Sequence, residues 1–351
     1  MKASKTRAIA SAAAAFALVT TACGSDDAAD EPAAEPPAET EAAADEPAAE
    51  PAAEPMKIGI VAPSAENDLA WSQSMFDSVN RVGEGRDIEV AISGGLFVVE
   101  DAAAALRGYA EDGFDLVIAH GTQFGGPLQE IADDFPDVAF ALGTSTDFFG
   151  KDNIFAYSVD AGQGGYVNGV MAAQLTASNV IGVVGPVPAG DAKLYIDGFV
   201  AGAEAQNPDA EVNVNYIDSF GDVQLASEAA KAHVANGADV LTGTAQMVVG
   251  ATGVAAEEGI PWFGTQSNQT DLGADIVVSS QVYHWEIVLE QMLDKITAGT
   301  LGGEAFVISF ENMGLEMEYN DGFGLDASVR ESADATVAGI SEGTIEVPAG
   351  E

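Results

Sequence analysis

The sequence predicts an α/β protein built as two consecutive lobes, each a doubly wound parallel sheet covered by helices on both faces. Three observations carry this. From Met56 onward, short aliphatic runs alternate with longer stretches of helical spacing, the signature of strand–helix crossovers. The alternation restarts near residue 179 and runs through a second time. The chain's 351 residues, 47% hydrophobic with 39 Gly and 7% aromatic, are enough for two domains with real cores.

In the first unit, KIGIVA (57–62), IEVAIS (88–93), DLVIAH (115–120) and VAFALG (138–143) read as buried strands. Trp71–Val82, Asp101–Glu111 and Pro127–Phe135 between them carry helical spacing. FAYSVD, ending at Asp160, is strand-like and leads toward the second unit. There NVIGVVG (179–185), EVNVNYI (211–217), ADVLTG (238–243), PWFG (261–264) and DIVVSSQV (275–282) are strand-like. Helices are expected at about 163–177, 191–206, 222–236, 248–258 and 284–298. Open parallel sheets bind ligands at the carboxyl ends of their strands. A ligand held between two such lobes would meet the loops after KIGIVA, DLVIAH, NVIGVVG, ADVLTG and PWFG.

The first 55 residues read as an address and a tether. Lys2, Lys5 and Arg7 precede an uncharged Ala-rich run from Ala8 to Val19, then Thr20, Thr21, Ala22 and Cys23. Residues 1–22 therefore form a signal peptide, with an apolar run too short to span a bilayer. Small residues before a lone Cys resemble the bacterial lipobox, which makes Cys23 the lipidation site and a membrane anchor. A soluble exported protein with an incidental Cys is the alternative. Residues 24–55 are almost wholly Ala, Pro, Asp and Glu, with eleven acids and no base. Such a segment cannot offset its ordering entropy and extends to roughly 100 Å at about 3.1 Å per residue.

Charge and composition exclude several functions. The formal charge of −44, from 56 acids against 12 bases, rules out a protein that grips nucleic-acid phosphates. One Cys excludes a disulfide framework, and His120, His233 and His284 lack metal-ligand spacing, so no metal site or cofactor is expected. The sequence contains no G-x-G-x-x-G after a strand, no G-x-x-x-x-G-K-[ST], no G-x-S-x-G and no H-E-x-x-H. Acid pairs such as Asp133–Asp134 read as solvated surface. The expectation is a binding protein and not an enzyme.

Five stretches, in order, resemble the basic membrane protein family, the substrate-binding lipoproteins of ABC transporters that include purine nucleoside receptors. They are Ala65-Glu66-Asn67-Asp68-Leu69-Ala70-Trp71, similar to that family's F-N-D-x-x-W element; Gly113 to Gly125; Phe135-Pro136-Asp137-Val138; Asn207-Pro208-Asp209 with Val214-Asn215-Tyr216 and Ser219-Phe220; and Trp262 to Gln269, at the V-D-S-D-Q position. The resemblance covers about residues 57–300. It implies a type I periplasmic-binding-protein fold, two lobes joined by three hinge strands. The division is then 56–162 plus about 283–310 for the N-terminal lobe and 163–282 plus about 311–351 for the C-terminal lobe. It also implies a monomer with a purine-like ligand, an ABC permease as partner and an extracytoplasmic, lipid-anchored location.

The candidate ligand-binding residues follow from these loops and from the resemblance. Asn67 and Asp68 can donate to and accept from a purine edge, or cap the following helix. Trp71 offers a π-face, or anchors that helix in the core. His120, Gln123 and Phe124 follow the strongest strand of the first lobe, with packed-loop roles as the alternative. Asp160 can accept from a ring N–H or cap the next helix. Phe220 can complete an aromatic sandwich, whereas Asp222 reads as an N-cap. The set closes with Gln266, Asn268, Tyr283 and Trp285. Where the family's nucleoside receptors carry an Asp on the ribose hydroxyls and a Lys nearby, this chain holds Gln266 and Tyr283. A free base, or another small planar heterocycle, is therefore the expected cargo, with Tyr283 or Trp285 filling the sugar's space. Import and ligand sensing for a membrane partner both remain open, as does a sugar ligand. Residues 56–351 keep 45 acids and 9 bases, a net −36, which predicts a surface adapted to high salt.

Overall fold

The chain's structure, a computed structural model, describes residues 54–348. The expected signal peptide, Cys23 and nearly all of the tether lie outside the described residues. The first half runs β1 (Met56–Val61), α1 (Trp71–Gly85), β2 (Ile88–Ser93), α2 (Val99–Glu111), β3 (Leu116–His120), α3 (Gly125–Asp134), β4 (Ala139–Gly143) and β5 (Ile154–Val159). The second runs α4 (Ala161–Leu175), β6 (Val180–Gly185), α5 (Gly190–Gln206), β7 (Glu211–Tyr216), α6 (Val223–Ala235), β8 (Val240–Gly243), α7 (Val248–Glu258), β9 (Trp262–Gln266) and β10 (Val277–Tyr283). The chain ends with α8 (Glu286–Thr297), β11 (Glu304–Ile308), β12 (Leu315–Tyr319) and α9 (Ala327–Ser341).

These strands form two six-stranded sheets, ordered β11-β5-β4-β3-β1-β2 and β12-β10-β9-β8-β6-β7. Every pairing is parallel except β10–β12. The central strands β3 and β4 are buried along their whole length, as a sheet covered on both faces requires. The chain passes between the sheets three times: after β5, after β10 and between β11 and β12. The last three elements, β11, β12 and α9, were not anticipated from the sequence. β12 is a short antiparallel edge strand in which Leu315 and Met317 point inward and Glu316 outward. Two inward residues are too few for period-two alternation to stand out in a chain so rich in acids.

Local chemistry sets the helix ends that face the gap between the sheets. Asp68 precedes α1, and its two carboxylate oxygens accept from the amides of Ala70, Ser72 and Gln73 and from the Ser64 hydroxyl. Asp222 caps α6 by accepting from the Leu225 amide at 2.9 Å. α4 and α5 pack backbone to backbone. A Cβ on Gly165 would lie 2.2 Å from the Tyr195 carbonyl oxygen, and one on Gly198 would lie 2.1 Å from that of Gly162. Only glycine permits this approach, and it fixes where the N-terminus of α5 emerges.

α8 is tied to α1. Arg81 Nε and Nη2 donate to the two carboxylate oxygens of Glu286 at 2.7 and 2.9 Å, and Arg86 engages Glu290 and Asp294. Such forked pairs are the stronger kind of surface ion pair. His284, at the second crossing between the sheets, shares Glu286 through Nδ1 and faces Glu316 through Nε2.

Candidate functional site

The loops at the carboxyl ends of both sheets enclose a cavity of about 260 Å³. From the first sheet come Pro63 after β1, Trp71 at the start of α1, Phe97 after β2, Gly121–Gln123 after β3 and Thr144 after β4. From the second come Ala189–Ala192 after β6, Phe220 after β7, Ala245 and Gln246 after β8, and Gln266 at the end of β9. Three aromatic rings and six polar side chains other than Gly and Ala share this wall, and no Lys or Arg does. The loops of the two sheets also touch directly: the Ser267 hydroxyl donates to the Ala70 carbonyl at 2.8 Å, and Gln269 Nε2 donates to that of Leu69 at 3.1 Å.

Trp71, Gln123, Phe220 and Gln266 are the sequence candidates that line the cavity. Trp71 is held by His120. The two rings stack at 4.1 Å with 4° between planes, and Trp71 Nε1 donates to the His120 carbonyl. His120 Nε2 lies 3.0 Å from the Trp71 carbonyl and Nδ1 2.7 Å from the Tyr157 hydroxyl. Because a carbonyl only accepts, the proton sits on Nε2 and Nδ1 accepts from Tyr157. Burial pushes the His120 pKa down to about 3, so the ring is neutral. His120 itself is fully buried and does not reach the cavity.

The other candidates stand elsewhere. Phe124 is fully buried in the apolar layer beneath α2 and α3. Asn67 is exposed, and Asp68 commits its oxygens to the start of α1. Asp160 is the residue before α4, in a separate depression beside Glu311; burial and that neighbouring carboxylate raise its pKa. Asn268 pairs with Glu318 and caps the turn at Thr270.

Tyr283 and Trp285 are both fully buried, and neither lines the cavity, so neither takes the place of a sugar there. Trp285 Nε1 donates to the Ser74 hydroxyl at 2.9 Å, and its ring meets Trp71, His120, Tyr157 and Tyr283 edge-on. It is the keystone of an aromatic cluster beneath the cleft. An indole of this size with a satisfied N–H is held in a core more strongly than at a surface.

The residues not anticipated are Phe97, Thr144, Asp191 and Gln246. Asp191 lies in the first turn of α5, where the Gln266 amide nitrogen donates to its Oδ2 at 3.3 Å. Burial raises its pKa to about 6, against the opposing pull of Gln266 and of the amides of Asp191 and Ala192. Nothing in the sequence separates this acid from 55 others; only its position after β6 does. Beside it Gln266 is 2% exposed, and its Oε1 has no hydrogen-bond partner. The Gln246 Oε1 is likewise buried without one. Ala245 and Gln266, at φ 72° and 76°, occupy left-handed backbone that disfavours side chains, and both line the cavity. Buried acceptors left open on one wall are suited to a ligand that brings donors.

Among the described residues, His284, Glu316 and Glu318 are the one acid–histidine group whose ligand atoms lie within 4.8 Å of one another. The group sits away from the cavity, with its imidazole already engaged by Glu286 and Glu316. No helix among the described residues is long and apolar enough to cross a membrane.

Residues 56–349 match a family model described as ABC transporter substrate-binding protein, PnrA-like. A purine-binding protein of Brucella abortus is 28% identical over 234 residues, covering 66% of this chain and 65% of that protein. The transcriptional activator protein med of Bacillus subtilis is 26% identical over 249 residues, 70% of this chain and 77% of its own length. Among solved structures, an ABC transporter solute-binding protein from Conexibacter woesei superposes with a TM-score of 0.68 at 26% identity, covering 84% of this chain and 98% of that one. A solute-binding protein from Aeropyrum pernix, at 16% identity, shares the fold with a TM-score of 0.72.

Proposed function

This chain belongs to the basic membrane protein family, the PnrA-like substrate-binding proteins of ABC transporters, and on that premise we propose that its interlobe cavity captures a purine base or nucleoside, the free base favoured, for delivery to an ABC permease. The observation that carries the reading is a cavity walled by Trp71, Phe97 and Phe220 with polar groups from both sheets between them. Flat apolar rings with a few placed hydrogen-bonding groups suit a planar heterocycle. The absence of Lys and Arg from that wall disfavours phosphorylated ligands. The volume of about 260 Å³ falls below the roughly 300–1,000 Å³ of common ligand pockets, which supports the smaller cargo.

Capture works by differential affinity. A ligand bridging loops of both sheets stabilises the state in which they meet, and the three chain crossings act as the hinge. The working division is 56–162 plus about 283–310 for one lobe and 163–282 plus about 311–351 for the other. The protein acts as a monomer without covalent chemistry, on the extracytoplasmic face, held by a lipid on Cys23. The name of the Bacillus subtilis relative favours a second reading, in which the ligand is reported to a signalling partner.

Isothermal titration with purine bases, their nucleosides and glucose tests the cargo. Bases are expected to bind, with nucleosides weaker or equal. Nucleosides binding much more tightly would remove the free-base preference, and glucose binding alone would remove the purine reading.

A further inference from the structure

Three polar side chains of the second lobe line the cavity: Asp191, Gln246 and Gln266. Asp191 is a carboxylate in the first turn of α5. Because a carboxylate can only accept, it orients the Gln266 amide: Nε2 turns toward Oδ2, at 3.3 Å, and Oε1 must face the other way. That oxygen is 98% buried with its residue and has no partner. Gln246 places a second unpartnered oxygen on the same wall. No Lys or Arg lines the cavity to reverse the polarity.

An anion cannot use this wall, although α5 begins there. The amides of Asp191 and Ala192 at that terminus already stabilise the Asp191 carboxylate. An incoming anion would meet a like charge. A neutral ring that presents only acceptors would leave Gln266 Oε1 buried and unpaired, which is the unfavourable case. A ring with N–H groups on its edge satisfies both the carboxylate and the amide oxygen.

We propose that Asp191 sets the cargo specificity of this protein: its carboxylate, with Gln266 Oε1 beside it, binds the N–H edge of an amino-substituted purine and discriminates against purines that lack the amino group. This rests on the purine reading of the cavity and narrows it. Trp71 and Phe220 hold the ring, and Asp191 chooses among rings of the same shape.

Acid weakens the contact, because protonation of Asp191 removes its negative charge and turns one of its two oxygens into a donor. Tyr283 on β10 and Tyr195 on α5 are phenols whose pKa values burial raises, so both stay neutral. Lys193, two residues along α5, is paired with Asp197. Thr122, Gln123 and Thr144 across the cavity do not titrate. With the carboxyl titrating at about 6, affinity falls about tenfold between pH 7 and pH 5.

The test is isothermal titration of the full-length protein with two matched pairs: guanine against hypoxanthine, and adenine against unsubstituted purine. Members of each pair differ at one exocyclic amino group. The amino member is expected to bind about 10- to 100-fold more tightly, as for a hydrogen bond to a charged group. Asp191→Asn should collapse that ratio to about threefold or less and abolish the pH dependence. Its melting temperature should not fall, because it replaces a carboxylate that burial disfavours, so lost affinity is not lost fold. Equal affinity within both pairs, or a ratio that survives in Asp191→Asn, overturns this inference and leaves the purine reading standing. A variant that loses nucleosides but keeps bases assigns Asp191 to a sugar and also overturns it. If none of the four bases nor their ribonucleosides binds, the purine reading falls and this inference falls with it.

Discussion

Trp71 and His120 hold each other by a reciprocal arrangement. Their rings stack at 4.1 Å, the indole N–H donates to the His120 carbonyl, and the imidazole N–H donates to the Trp71 carbonyl. Trp71 alone of the two reaches the cavity. The imidazole therefore acts on the ligand only through the indole it supports.

His120→Ala removes the stacked ring and leaves the Tyr157 hydroxyl without its partner in a fully buried layer, while the Trp71 carbonyl keeps the Ser74 hydroxyl. A loss of about 3 kcal/mol is expected, read from urea unfolding at pH 7. The wild-type ring also makes the fold acid-sensitive. Its folded pKa, about 3, lies below the unfolded value of 6.5, so this contribution is complete above pH 6.5 and is lost as pH falls toward 3. The slope is about 1.4 kcal/mol per pH unit from this group. Asp191, with a raised pKa, contributes in the opposite sense below about pH 6. Stability of His120→Phe should therefore fall less than wild type between pH 6 and 4; equal losses would place the charge effect elsewhere.

Gly198→Ala drives a methyl group to 2.1 Å from the Gly162 carbonyl oxygen. α4 and α5 must separate, which costs about 2–3 kcal/mol by the measure of overpacked cores. Because α5 carries Asp191 into the cavity, ligand affinity should fall with stability. Differential scanning calorimetry with and without ligand measures both, and an unchanged melting temperature would contradict backbone-to-backbone packing of the two helices.

Cys23→Ser tests the anchor. With the signal peptide intact, the wild-type protein should sediment with membranes, since acyl chains supply about 0.8 kcal/mol per buried CH2. The variant should appear in the soluble exported fraction. Equal partitioning of the two would show that Cys23 carries no lipid.

Salt dependence tests the acidic surface. With a net charge of −36 in residues 56–351, self-repulsion should be strong at low ionic strength. The Debye length shrinks from about 10 Å at 0.1 M to about 3 Å at 1 M salt. The melting temperature should accordingly rise across that range. A flat profile would mean that local pairs such as Arg81–Glu286 already balance the surface.

Much of the fold was legible because buried parallel strands announce themselves as aliphatic runs. β3 and β4 read directly from DLVIAH and VAFALG, and helix ends moved by only a few residues. The acid-rich edge strand β12 and the terminal helix α9 did not, since a half-exposed element shares its composition with the surface.

By itself the sequence determined the two-sheet alternation, the loops on which a ligand would fall, and the family. It also singled out residue types that suit a planar ligand, but not which of them face it. Trp71 and Phe220 reach the cavity, whereas Phe124, Tyr283 and Trp285 are drawn into the core. Only the tertiary structure decided that, and only it brought Asp191 from α5 against Gln266 from β9, 75 residues apart in the chain. The physical reason is that periodicity encodes burial within one element. Which buried or polar side chain faces a cavity depends on how two elements approach each other, and here that approach is set by glycines that let α4 and α5 touch.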